Sequence, residues 1–419
     1  MSTTLEAPPE PTARPIDIQS TVAPQPAGRE RLLALDAFRG ITIAGMLLVN
    51  DPGSWTYIYP PLEHAEWNGW TPTDLIFPFF LFIVGITTQM SLTSRRARGA
   101  TDRELMMQIL RRGAVIILCG LFLNSFPFYT WGTIASLPDA TILQRVAYRF
   151  AHLRFPGVLQ RIGVVYVLSA LLTLKTSLRQ QIAMVITILL GYWALMTLVR
   201  VPDSGRLGAE LLDKPDMVLS AWLDRLVFGP HLWVSTKTWD PEGILSTIPA
   251  IATAILGGFA ARWISSGRSL TDRVSGLYAG GSLVMVAGLI WNWVFPINKN
   301  LWSSSYVLFT AGMGAVTLAT CLWLIDVQNL RRWSRPFVIY GTNPLIAFVG
   351  SGIMARLIYS MIKVPLDGKR VPLVTWINHT VFASWLPPRV ASLAFALSFV
   401  LFWLGVLTVL YRKNIFIKA

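Results

Sequence analysis

The chain has 419 residues, 53% of them hydrophobic and 14% charged, with a mean hydropathy of +0.52, which is more apolar surface than a water-soluble domain can bury. Its 36 Lys and Arg against 22 Asp and Glu give a net charge of +14, but the basic residues fall between apolar runs. They read as topology signals of a polytopic membrane protein and not as a nucleic-acid surface. Two cysteines, Cys119 and Cys321, lie inside apolar segments and support neither a disulfide framework nor a thiolate metal site.

Residues 1–30 read as a disordered cytoplasmic tail, with six prolines in the first 28 and no continuous apolar core of the kind a signal peptide needs. Ten later segments approach the roughly 20 apolar residues of a membrane span. They lie near 33–50, 73–94, 113–129, 158–175, 181–200, 244–262, 274–295, 303–325, 337–360 and 388–411. Runs this long and continuous fit helices and not the alternating strands of a barrel. No internal duplication interrupts them, so residues 31–419 are expected to form one all-α bundle. With both termini cytoplasmic, the inner segments carry 21 Lys and Arg and the outer ones 12, as the positive-inside rule requires.

The first span opens with LLALDAFRG, which puts Asp36 and Arg39 three apart on one helix face. They form an interfacial pair, or Arg39 meets a phosphate. The following loop, through His64, holds no Lys or Arg and therefore faces outward; it contains Glu63, Glu66 and a Trp-Asn-Gly turn, with Asp74 starting the next helix. Imidazole is a base, a nucleophile or a metal ligand, although a lone loop histidine is most often just solvated. No second histidine stands at metal-binding spacing, so zinc is not expected. Beyond the second span come Arg95 and Arg96, the start of the densest inner cluster.

Gln160 and Arg161 interrupt the fourth span, and a buried guanidinium needs either a carboxylate on a neighbouring helix or an anionic ligand. The outer connection near 200–243 is long enough to require structure of its own. Before the sixth span, Asp240, Pro241 and Glu242 read equally as a helix start and as functional acids. Asn298 and Lys299 open the eighth at the same outer level. In the ninth, Asn343 before Pro344 breaks an apolar run, which is tolerated against protein or a water-filled cavity.

The stretch RLLALDAFRGITIAGMLLVN, the HAEWNG loop and DLIFPFFLFIVG resemble the catalytic core of the heparan-alpha-glucosaminide N-acetyltransferase family. The likeness continues in order through WLDRLVFGPHL, WDPEGILSTIPAI, INKNLWSSSYVLFTAG and GTNPLIAFVG, and it points to the bacterial-type branch. That resemblance implies a multi-helix membrane acyltransferase taking acetyl from acetyl-CoA, with the histidine matching His64 at the active site and the asparagine matching Asn50 as its partner. Compared with the lysosomal enzyme, the sequence reads as lacking the extended luminal N-terminal domain and first helix. An amino sugar or glycan at the outer face is then the expected acceptor, in a bacterial inner membrane.

Acetyl-CoA is cytoplasmic while His64 faces outward, so the coenzyme should lie lengthwise in the bundle, its phosphates met by Arg39, Arg161, Arg95 and Arg96. Asp240, Glu242, Asn298 and Lys299 are the candidates for acceptor binding. His64 acts either as the base of a ternary complex, with Asn50 donating to the oxyanion, or as a nucleophile forming acetyl-imidazole. The alternative class, a secondary transporter of a small polar or anionic solute, accounts for intramembrane charges and Pro-interrupted helices but leaves the His64 loop without a use. Oligomeric state stays open, with a homodimer among the options; membrane lipid is the expected surrounding and nucleic acid is not.

Overall fold

The computed structural model of the chain describes residues 32–417; the expected cytoplasmic tail lies outside them. The first half comprises α1 Leu33–Asn50, α2 Ile76–Arg96, α3 Asp102–Ser125, α4 Ile142–Ala151, α5 Val158–Lys175, α6 Leu178–Leu198 and α7 Leu219–Phe228. The second comprises α8 Ile244–Ile264, α9 Leu270–Trp291, α10 Ser304–Leu322, α11 Arg335–Thr342, α12 Pro344–Arg356, α13 Leu373–Ile377 and α14 Pro388–Arg412. Among the described residues the sheet content is one hairpin, β1 Lys363–Leu366 paired antiparallel with β2 Lys369–Pro372. Ten helices are long and apolar enough to cross a membrane, and each coincides with one of the ten expected segments. The protein is an all-α, polytopic integral membrane protein.

Two boundaries differ from expectation for identifiable reasons. The third span begins at Asp102, not near 113, because Thr101 caps it: its hydroxyl accepts from Glu104 N while the Glu104 carboxylate accepts from Thr101 N. That box carries the helix through a charged first half that hydropathy alone rejects. The ninth segment is two helices, α11 and α12, parted at Asn343, whose side-chain amide donates to Ile415 O and whose Oδ1 accepts from Ile417 N. The broken backbone thus rests on the chain's own C-terminal segment.

The spans pack where small residues let backbones approach. A Cβ on Gly85 of α2 would stand 1.8 Å from Ala254 O of α8, and one on Gly257 of α8 would stand 2.1 Å from Phe82 O of α2. Gly40 and Gly341 do the same between α1 and α11. In lipid, where apolar burial between helices gains little, such close approach is a principal source of association. Around it, Leu81, Ala250, Ala254, Trp302 and Tyr306 form the central apolar cluster.

Contacts between loops identify one common end of the bundle. Asn298 meets Asn68, Arg154 meets Asp240, and Gly53 N donates to Ser392 O, so the connections 51–71, 126–157, 199–243, 292–303 and 362–387 share that end. The 199–243 segment is structured: it holds α7 and packs Val201, Leu211, Val218 and Leu219 against Trp67 and Trp239. Trp67 Nε1 donates to Leu212 O at 2.7 Å and Asn68 Nδ2 to Asp213 Oδ1 at 2.5 Å, so this segment clamps the His64 loop.

Gly85→Val should separate α2 from α8 and destabilise the detergent-solubilised protein by about 1–3 kcal/mol or more. Gly191→Ala, at a helical glycine where an added Cβ would meet nothing within 4 Å, should leave its thermal midpoint unchanged or raise it. Thermal unfolding of the two variants side by side checks this, and equal midpoints would remove the close-packing account.

Candidate active site

The site is built on the start of α2. Thr71, Pro72 and Asp74 form a capping box: Thr71 N donates to Asp74 Oδ2 at 3.0 Å and Thr71 Oγ1 lies 3.3 Å from the same oxygen. Ala65 N adds a third donor to Oδ2 at 3.0 Å. The other oxygen, Oδ1, faces His64 Nδ1 at 2.7 Å. The Asp74 side chain is 1% exposed and the His64 imidazole 48% exposed, so a buried carboxylate holds a half-open ring. With the proton on Nδ1, Nε2 carries the lone pair, and the Lys299 ammonium is a donor 3.2 Å from it.

Lys299 completes the group. Its Nζ lies 3.0 Å from His64 Nδ1, 3.2 Å from Nε2 and 3.6 Å from Asp74 Oδ1, placing the cation against the ring and beside the carboxylate. Burial pushes the Lys299 ammonium below its ordinary pKa range while Asp74 pulls the other way. Below, Tyr306 OH donates to the Asp74 carbonyl at 2.5 Å, tying α10 to the same turn. Asn298 is a strut of this arrangement: its amide donates to Asn68 Oδ1 at 3.0 Å and its Oδ1 accepts from Leu301 N at 2.9 Å.

Asp240 and Glu242 converge on Arg154, which donates to both Asp240 oxygens, at 2.8 and 2.5 Å, and to Glu242 at 2.5 Å. They do not start α8, whose cap is Gly243; the first free amide, Ile244 N, is met at 3.0 Å by Asp224 from α7. Burial pushes that Asp224 carboxyl up to about 6. The helix-start reading of Asp240 therefore yields to a tertiary cap, and the acids are left to neutralise an arginine.

The four candidate coenzyme arginines divide between the two ends of the bundle. Arg39 pairs with Asp36 at 3.1 Å and donates to Gly341 O at 3.0 Å. Arg95 donates to Ser91 Oγ at 3.3 Å, and Arg96 to Asp102 and to Leu174 O at 2.8 Å each. Arg161 stands near the opposite end of α5 from Leu174, about 20 Å away along the helix. There it is 2% exposed, bonds Ser246 Oγ, and lies 5.1 Å over the Trp302 ring. No carboxylate among the described residues pairs with it directly; its Nε and Nη1 have no hydrogen-bond partner.

Asn50, at the end of α1, makes no hydrogen bond to His64. It lines a cavity of about 260 Å³ with Asp51, Asn124, Arg154, Gln160 and Arg356, bounded by α1, α3, α5 and α12. Arg154 joins this cavity to the Asp240–Glu242 pair. Sequence reasoning passed over Asp74, Arg154 and Asp51 as functional residues. The Thr-Pro-Thr-Asp cap was a visible signal for a helix start, but nothing local shows which side chain meets its second oxygen.

A family model described as the catalytic part of heparan-alpha-glucosaminide N-acetyltransferase matches residues 31–264, which include every residue of the His64–Asp74 turn. The heparan-alpha-glucosaminide N-acetyltransferase of Homo sapiens is 29% identical over 437 residues, covering 93% of this chain and 60% of its own. That of Mus musculus is 29% identical over 371 residues, covering 77% of this chain and 54% of its own. The chain thus spans little more than half the length of these relatives, yet more than half of it lies within the family model. It belongs to the heparan-alpha-glucosaminide N-acetyltransferase catalytic family.

Proposed function

We propose that the chain is a membrane acetyltransferase that moves an acetyl group from acetyl-CoA to the amine of an amino sugar or glycan, with His64 as the reacting base or nucleophile. The observation that carries this reading is the His64–Asp74 pair, a half-open imidazole whose Nδ1 is held at 2.7 Å by a carboxylate buried at the mouth of a membrane bundle. Such an orienter fixes the tautomer and stabilises the imidazolium that forms when Nε2 takes a proton. Nε2 either deprotonates the attacking amine or attacks the thioester itself; the dyad serves both. Lys299 Nζ, 3.2 Å from Nε2, supplies positive charge where an oxyanion or thiolate develops.

The division of arginines supports an extended coenzyme. Arg39, Arg95 and Arg96 offer cations for phosphates at one end of the bundle, and the acetyl group has to reach the other, where His64 and Arg161 lie. Asn50 borders the cavity next to that end, where its amide is available to a substrate carbonyl. In this reading the His64 end faces outward, both termini are cytoplasmic, and the membrane is a bacterial inner membrane, as the excess of Lys and Arg at the other end supports. Residues 1–30 and 31–419 are then tail and transmembrane acyltransferase domain.

Purified protein supplied with acetyl-labelled acetyl-CoA and D-glucosamine should yield labelled N-acetylglucosamine, and an intact thioester after prolonged incubation would overturn the reading. His64→Ala should abolish transfer while the protein stays folded and membrane-inserted, with a cooperative thermal transition in detergent. Asp74→Asn, which keeps the shape but disturbs the tautomer, should lower kcat by about 10³–10⁴ with little change in KM. For Asn50→Ala, kcat should fall by about 10²–10³ if its amide meets the oxyanion; a rise confined to the KM for acetyl-CoA would make it a ground-state contact.

Orientation has its own test. In a background without Cys119 and Cys321, a cysteine at Thr56 should react with an impermeant thiol reagent outside intact cells, and one at Arg98 should react after lysis alone. The reverse pattern would invert the bundle and put His64 on the coenzyme's own side.

A further inference from the structure

The cavity beside Asn50 contains a group that the His64–Asp74 dyad does not use. Asp51 is 5% exposed, lines the cavity, and has no hydrogen bond or ion pair among the described residues. Burial without compensation pushes its carboxyl up to about 7. On the α5 wall, Gln160 is 8% exposed and its Nε2 likewise lacks a partner. A native interior seldom leaves such groups unmet, and water, an ion or a ligand meets those that the protein does not. The volume of about 260 Å³ far exceeds the share of one water, about 30 Å³, and admits a solute of monosaccharide size.

The sign of the missing charge follows from the neighbours. The charged and titratable groups around Asp51 are Arg154 before α5, Arg356 of α12 with Arg149 of α4 beside it, and Tyr359 just beyond α12, whose hydroxyl donates to Pro52 O. Arg154 is already met by Asp240 and Glu242, and Arg356 donates to Gly352 O of its own helix. Neither guanidinium therefore pairs with Asp51, which has no counter-ion of its own when it is ionised. Neither arginine nor tyrosine titrates near neutrality, so among the groups that line the cavity Asp51 is the one whose charge changes there.

We propose that this cavity is the acceptor subsite and that Asp51 is the counter-ion of a protonated primary amine on an amino sugar, an inference resting on the acetyl-transfer reading above. An amine that enters as an ammonium must lose two protons to become an amide. Asp51 takes the first, freeing the nitrogen lone pair to attack the thioester carbon. As the C–N bond forms and the C–S electron pair leaves with sulfur, the second proton passes to the departing thiolate, by way of His64 once the neutral amine has reached the dyad. Ammonium and acetyl thioester thus give amide, thiol and one proton, and that proton is released to water from Asp51.

The test is calorimetric titration of the purified full-length protein, without acetyl-CoA, with D-glucosamine and with the uncharged D-glucose. Wild type should bind glucosamine about 30-fold or more tightly than glucose, the scale set by losing one partner of a buried charge pair. Asp51→Asn should bring the two sugars to near parity, Asp51→Glu should restore part of the preference, and KM for acetyl-CoA should not move. Glucosamine affinity should rise with pH as Asp51 ionises around 7 and fall when the sugar amine loses its own proton. Equal wild-type affinities, a preference that survives Asp51→Asn, or a flat pH profile would each overturn the proposal. Should Asp51→Asn fail to fold, the wild-type ratio and its pH profile decide. Selective binding without any acetyl transfer would sink the transferase reading and leave the ammonium site standing; transfer with an unchanged preference in Asp51→Asn would do the opposite.

Discussion

Everything at the open end of the bundle depends on the Asp74 carboxylate. One oxygen closes the first turn of α2 by accepting from Thr71 N and Ala65 N, and the other holds His64 at 2.7 Å. A carboxylate 1% exposed at the head of a membrane helix is costly to leave unmet. Here three backbone or hydroxyl donors, the imidazole and Lys299 all answer it, so the charge that stabilises the helix start also fixes the ring. Folding of the second span and orientation of the histidine are thus one event.

The surroundings serve that constraint. The 199–243 segment clamps the loop through Trp67 and Asn68, the 292–303 loop brings in Lys299 and Asn298, and Tyr306 fastens α10 beneath the turn. Each comes from a different part of the chain, and each spends a polar group on a loop that would otherwise be held only at its two ends. The spans beneath can supply a rigid base because glycines at α2–α8 and α1–α11 let their backbones touch, in a medium where apolar burial alone would hold them weakly.

Charge is distributed unevenly along the bundle. Arg96 at one end is shared between Asp102 and a helix C-terminal carbonyl, an exposed arrangement that leaves no buried charge bare. Arg154 at the other is saturated by two acids, and Arg161 is enclosed with two nitrogens unmet. A guanidinium so enclosed is tolerated next to an indole face and near carboxylates, which is the environment Trp302 and the Asp240–Glu242 pair provide.

Much of this protein is local and was therefore legible in its residues. Apolar run length fixes how many helices can cross, and the motif order from the LDAFRG opening onward identifies the family, because both depend on contiguous sequence. Even the third span's early start was written in its capping box, though hydropathy masked it. What pairs with what was not legible. Asp240 looked like a cap and is an arginine's counter-charge, while the cap comes from Asp224, 16 positions before it in the chain. Arg161 looked like a partner of Arg95 and Arg96 and stands at the far end of its own helix. That Asn50 shares a cavity with Asp51, Gln160 and Arg356 was likewise not visible in the residue order. Contiguous residues settle the number of spans, their caps and the loop that carries the imidazole. Which carboxylate holds that imidazole, and which is left facing a cavity, is settled only when the helices have packed, because hydrogen-bond partners are chosen by distance in space and residue order places no limit on that distance.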